Sequence, residues 1–121
     1  MPAGVLFPAM SAAFPAPILA LPEADLPMKG AVGYISQGDH HQVVYMHFGE
    51  DVPLAEHAHA AQWGIVLDGK VDLDIGGVMR TYSKGQNYFV PAGVKHHGHI
   101  YAGLTVVEFF DQVDRYKRKV K

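Results

Sequence analysis

Val71-Asp72-Leu73-Asp74-Ile75 alternates apolar and acidic side chains. A period of two puts successive side chains on opposite faces of an extended chain, so this stretch reads as a strand with one buried face. Turn dipeptides bound it on both sides, Asp68-Gly69 before and Gly76-Gly77 after. Both predict hairpins, because glycine accepts the positive φ such turns need. Working outward, Ile65-Val66-Leu67 is a short buried run. Val43-Val44-Tyr45-Met46-His47-Phe48 and Leu104-Thr105-Val106-Val107-Glu108-Phe109-Phe110 are rich in β-branched and aromatic residues. Strand-like segments recur from about Ala31 to Phe110 at the short spacing typical of a sandwich, jelly roll or closed barrel. The stretch Asp111–Lys119 is the one predicted helix. The fold class is therefore all-β.

Composition narrows the functions available. The chain has 121 residues, 10 Lys+Arg against 12 Asp+Glu, 49% hydrophobic residues and no Cys. That length suits one domain with a real core. Without Cys there is no disulfide scaffold, thiol nucleophile or thiolate zinc site. A near-balanced charge gives no general attraction to nucleic acid. Residues 1–30 are expected to form an extended N-terminal arm: six of the eight prolines lie there, which precludes a membrane-spanning helix. The same stretch up to Met28 has no Lys or Arg, so it lacks the positive n-region of a secretory signal. The expected compartment is the cytoplasm. Residues 111–121, with Arg115, Lys117, Arg118, Lys119 and Lys121, read as a solvated basic tail. No aromatic platform accompanies it, so a nucleic-acid role is not expected.

The abnormal feature is histidine, eight in 121 residues. In Glu56-His57-Ala58-His59-Ala60-Ala61-Gln62, a strand would put His57 and His59 on one face, where two imidazoles form a bidentate grip on a divalent first-row metal. A second cluster, Gly85-Gln86-Asn87-Tyr88-Phe89-Val90-Pro91-Ala92-Gly93-Val94-Lys95-His96-His97, joins a strand to a Pro-x-Gly turn that could aim His96 at a fixed point. By parity His97 and His99 face away from His96, Glu56 points outward from His57, and Trp63 lies opposite Gln62. Tyr34, Tyr45, Met46, His47, Phe89 and Phe109 could line the barrel mouth or fill it. His40-His41 reads as a solvated turn. Nucleophile-elbow, HExxH, P-loop and dinucleotide-binding patterns are absent.

These two clusters resemble the paired motifs of the cupin superfamily. The second motif matches as Gly85-x5-Pro91-x-Gly93-x2-His96, with Ile100 in place of its terminal Asn. The first matches at His57-x-His59 and at Gln62-x6-Gly69. It departs in the two-residue gap after His59, in Gln62 where the family has Glu, and in Gly49, which lies two residues too far upstream. Lys70 to Lys84 separate the motifs, as in compact single-domain bacterial members. The resemblance covers about Ala31 to Phe110 and implies a cupin barrel at 31–110, a jelly-roll double-stranded β-helix of two packed antiparallel sheets with the metal inside. It carries the ligand set onto His57, His59 and His96, with Gln62 where the carboxylate would be. Gln offers a neutral amide oxygen, so a hard cation should be held less tightly. Three neutral imidazoles accept Zn, Fe, Ni, Mn or Cu.

Two functions follow as expectations. One is a metal-dependent enzyme on a small molecule, using Lewis-acid or oxygen chemistry such as that of a dioxygenase, isomerase, decarboxylase or cyclase. With no carboxylate in the motif, His97, a Tyr or a metal hydroxide is left as the base. The alternative is a barrel that holds a small ligand or metal without turnover. A homodimer is expected: the apolar arm and the exposed-looking aromatic strands suggest a sheet edge that needs cover, and the resemblance to small cupins implies the same.

Overall fold

The computed structural model describes residues 14–120; the first part of the predicted arm, 1–13, lies outside them. Nine strands follow one four-residue helix, α1 (Ala16–Leu19). They are β1 (Ala31–Gln37), β2 (Gln42–Phe48), β3 (Val52–His57), β4 (Gln62–Asp68), β5 (Lys70–Ile75), β6 (Val78–Ser83), β7 (Asn87–Val90), β8 (His96–Ile100) and β9 (Thr105–Phe110). Five make one sheet in the order β1-β2-β9-β4-β7, and four make the other in the order β3-β8-β5-β6. Every strand pair is antiparallel. The fold is the all-β jelly roll expected.

Alternation builds the core. In β2, Gln42, Val44, Met46 and Phe48 are buried while the residues between them are half-exposed. Val66, Val71, Leu73, Val90, Ile100, Val106 and Phe110 meet them from both sheets. Burying a large aliphatic or aromatic side chain contributes roughly 1.5–3 kcal/mol, so this inner layer dominates the stability of the barrel. Gly76-Gly77 closes the β5–β6 hairpin as expected, with Ile75 opposite Val78. Asp68-Gly69 does something else: β4 and β5 lie in different sheets, so this dipeptide is a corner rather than a hairpin. Gly69 has φ +74°, and a Cβ there would lie 2.8 Å from the Gly103 carbonyl oxygen. Both sterics and backbone conformation require glycine.

The termini pack together. The Ala24 N–H donates to Gly33 O, and the Ile35 N–H donates to Pro22 O, so the arm extends the β1 edge. The tail pairs with the arm in turn, with the Asp25 N–H on Lys117 O and the Lys119 N–H on Glu23 O. Phe14 is buried edge-on against Tyr34 and Tyr45 on the outer face. The predicted helix over Asp111–Lys119 does not form. Backbone groups of this segment are taken by partners in the fold: the buried Gln42 side chain accepts from Tyr116 N–H and donates to Tyr116 O. The tail therefore returns across the barrel instead of projecting into solvent. Among the described residues no helix is long and apolar enough to cross a membrane.

Candidate metal centre

His57, His59 and His96 converge. One ring nitrogen of each lies within 4.8 Å of the others. Ring centroids are 4.1 Å apart for His57–His96, 4.9 Å for His59–His96 and 5.3 Å for His57–His59. The route differs from simple strand parity. β3 ends at His57, and His59 sits in the loop before β4, so the two do not share a strand face. A bulge in β3 aims His57 inward. Leu54 pairs with Gly98 and His57 with His96, so β3 holds one residue more than β8 over this interval. Unbroken alternation from Val52 and Leu54 would have put Glu56 inside. Glu56 instead faces solvent, 3.9 Å from Lys95 Nζ. The loop bearing His59 is tied to the Pro-x-Gly turn by the Gly93 N–H, which donates to His59 O.

Each imidazole is held through Nδ1 by a backbone carbonyl: His57 by Ala55 O at 2.9 Å, His59 by Ala60 O at 2.7 Å and His96 by Val94 O at 3.0 Å. A carbonyl can only accept, so Nδ1 carries the proton and Nε2 keeps its lone pair. Nε2 of His59 and of His96 is buried without a hydrogen-bond partner. Burial pushes the pKa of His59 down to about 4 and that of His96 in the same direction, the Arg115 charge adding to both. Both rings are thus neutral at pH 7, the form that binds metal. Fixed tautomers, neutral rings and orphaned lone pairs suit a divalent transition metal.

Gln62 opens β4 beside this group and lines the same cavity, about 330 Å³ in volume. Its Nε2 donates to Glu108 Oε2 at 2.6 Å, while its Oε1 is buried without a partner. Glu108, on β9, is a carboxylate that the motif comparison did not reveal. It is 2% exposed, accepts from the Tyr88 hydroxyl as well, and burial pushes its pKa up to about 7. Tyr88, Gly64 and Glu108 are cross-strand neighbours on β7, β4 and β9. A Cβ on Gly64 would lie 2.5 Å from Tyr88 Cζ and 2.6 Å from Glu108 Oε1, so the missing side chain makes the room in which this pair meets. A legible signal existed: Glu108 shares parity with the apolar Val106 and Phe110.

The other expectations divide. His97 and His99 face outward, 3.6 Å from Asp74 and 3.4 Å from Asp51, so His97 is not placed to act as a base in the cavity. Trp63 lies on the outer face, as parity required. Of the residues proposed for the mouth, only Met46 lines the cavity; Tyr34, Tyr45, His47, Phe89 and Phe109 alternate with the buried positions of their strands. His41 stacks on Phe109 with ring centroids 4.9 Å apart. Arg115, expected in solvent, lines the cavity with Tyr116.

Solved structures share this barrel. An RmlC-like cupin from Shewanella frigidimarina is 22% identical, with a TM-score of 0.68 over 78% of this chain and 86% of its own. KdgF from Halomonas is 20% identical, with a TM-score of 0.64 over 75% of this chain and 87% of its own. An oxalate decarboxylase variant from Bacillus subtilis is 17% identical, with a TM-score of 0.65; the match covers 76% of this chain but 28% of that one. These likenesses are of fold. No curated protein matches the sequence. The cupin domain family matches residues 32–111, from β1 to the residue after β9, and the chain belongs to that family.

Proposed function

We propose that His57, His59 and His96 hold a divalent transition metal through Nε2, that Gln62 Oε1 is the fourth ligand, and that the protein is an enzyme acting on a small molecule. The observation that carries this reading is the set of three carbonyl-held Nδ1 atoms, which leaves three lone pairs facing one cavity. A bound ion would supply Lewis-acid polarisation or, if redox-active, oxygen chemistry of the dioxygenase, isomerase, decarboxylase or cyclase kind. The chain contributes the surroundings. Leu73, Ile100 and Val106 keep the cavity apolar, and Glu108 keeps a proton within reach near neutral pH. A carboxyl poised near the working pH favours catalysis over passive binding. That an oxalate decarboxylase shares the barrel agrees with this reading. The cytoplasm is our proposed compartment.

Metal content of the untagged protein tests the site. Wild type and His97→Ala should retain close to one metal per chain by mass spectrometry, and His96→Ala should lose most of it. The opposite dependence would refute the assignment. Metal retained with no turnover across oxygen-uptake and carbonyl-substrate screens would make the protein a binding module.

A further inference from the structure

The C-terminal tail brings a guanidinium to this cavity. Arg115 lies beyond the residues that match the family and lines the same space as the three imidazoles. Its Cζ is 4.5 Å from the Tyr116 ring centroid and 5.7 Å from that of Phe110. Phe110 in turn meets His59 edge-on at 5.7 Å. The aromatic rings hold the cation in place but give it no acceptor. Among the described residues no carboxylate lies within ion-pair distance of Arg115, and its Nε is buried without a hydrogen-bond partner. An unsatisfied buried donor costs about 1–3 kcal/mol, and guanidinium offers its donors as a planar fork that matches a carboxylate.

The charge of the site points the same way. A divalent ion on the three imidazoles, together with Arg115, would face one carboxyl among the described lining residues, Glu108, which is already engaged by the Gln62 side chain and the Tyr88 hydroxyl. Excess positive charge in an apolar enclosure is relieved by an anion. Among the described residues Arg115 is the one Arg in the lining and no Lys joins it, so the donor set suits one monoanion better than a multiply charged phosphate. We propose that Arg115 anchors the carboxylate of a small monocarboxylic acid, whose apolar body occupies the cavity against Met46, Leu73 and Ile100. The anchor itself needs only Arg115 and the cavity; its place beside a reacting centre rests on the metal-site reading above.

The test uses the full-length, zinc-loaded protein titrated calorimetrically with acetate, pyruvate and benzoate, each alongside its primary amide. At least one acid should bind about ten- to a hundredfold tighter than its amide, the range expected for a charged hydrogen-bonded pair. Arg115→Gln should bring acid and amide level while leaving zinc content unchanged. Arg115→Lys, with the charge but not the fork, should keep part of the preference. Equal binding of acids and amides by wild type would overturn the proposal, as would an Arg115→Gln protein that binds acids like wild type. If Arg115→Gln does not fold, the wild-type comparison and Arg115→Lys decide. Zinc content, measured separately, keeps the two readings apart. An acid preference without zinc binding would sink the metal centre and leave the anchor standing; zinc binding without an acid preference would do the reverse.

Discussion

Glu108 turns the departure at position 62 into a consistent arrangement. A glutamine in place of a carboxylate removes a negative charge from the side facing the three imidazoles, and here the carboxylate stands behind it, accepting from Nε2 of Gln62. That grip turns Oε1 the other way. The pair also sets a pH dependence. Glu108 keeps its proton to about pH 7 in the fold against an ordinary value of 4.5. Its contribution to stability is therefore complete below pH 4.5 and lost as pH rises to 7. His59 runs oppositely: with a pKa of about 4 against 6.5, it contributes above pH 6.5 and loses that contribution as pH falls to 4. Between 4.5 and 6.5 the two slopes oppose. Metal-free Glu108→Gln should consequently gain stability with rising pH more steeply than wild type, measured by urea unfolding from pH 4.5 to 7. Parallel curves would mean that Glu108 titrates normally. Gly64→Ala should drive Tyr88 and Glu108 apart and destabilise by about 1–3 kcal/mol, and a neutral change in the urea midpoint would contradict the packing described.

Three elements place the site: the bulged end of β3, the His59 loop tied to the Pro-x-Gly turn, and the returning tail. Only part of this was legible. The alternation of Val71–Ile75 and the apolar content of β2 and β9 identified strands correctly, because burial of one face writes its period into the sequence. The bulge left no such mark, since an extra residue changes parity only relative to the partner strand, which lies 39 residues away at His96. The tail misled for a related reason. Arg and Lys suggest solvent, yet Tyr116 and Gln42 exchange hydrogen bonds that no local pattern announces. At the corner, Gly69→Ala should cost roughly 1–3 kcal/mol, because its backbone is left-handed and its Cβ would meet Gly103. Equilibrium unfolding in urea checks this, and an unchanged midpoint would show that the corner relaxes.

At the scale of the whole molecule, the outer face of the five-stranded sheet is unevenly covered. Phe14 packs over the β1–β2 side. Phe89, Trp63 and Phe109, paired in register across β7, β4 and β9, remain 56%, 39% and 37% exposed. We propose that this row of exposed aromatics is the contact of the homodimer expected from the sequence, in which a second copy would cover it. Light scattering should then give twice the chain mass, and Trp63→Glu should shift the protein to monomer. A wild-type monomer at micromolar concentration would refute it.

The sequence by itself determined the all-β character, the family and the three histidines that the fold brings together, because periodicity and motif spacing are local properties that one chain displays directly. Only the tertiary structure decided that a bulge turns His57 inward, that a loop delivers His59, and that Glu108 and Arg115 share the cavity. Those facts depend on registers between distant strands and on where the tail comes to rest, and burial energy settles both only after the two sheets have closed on each other.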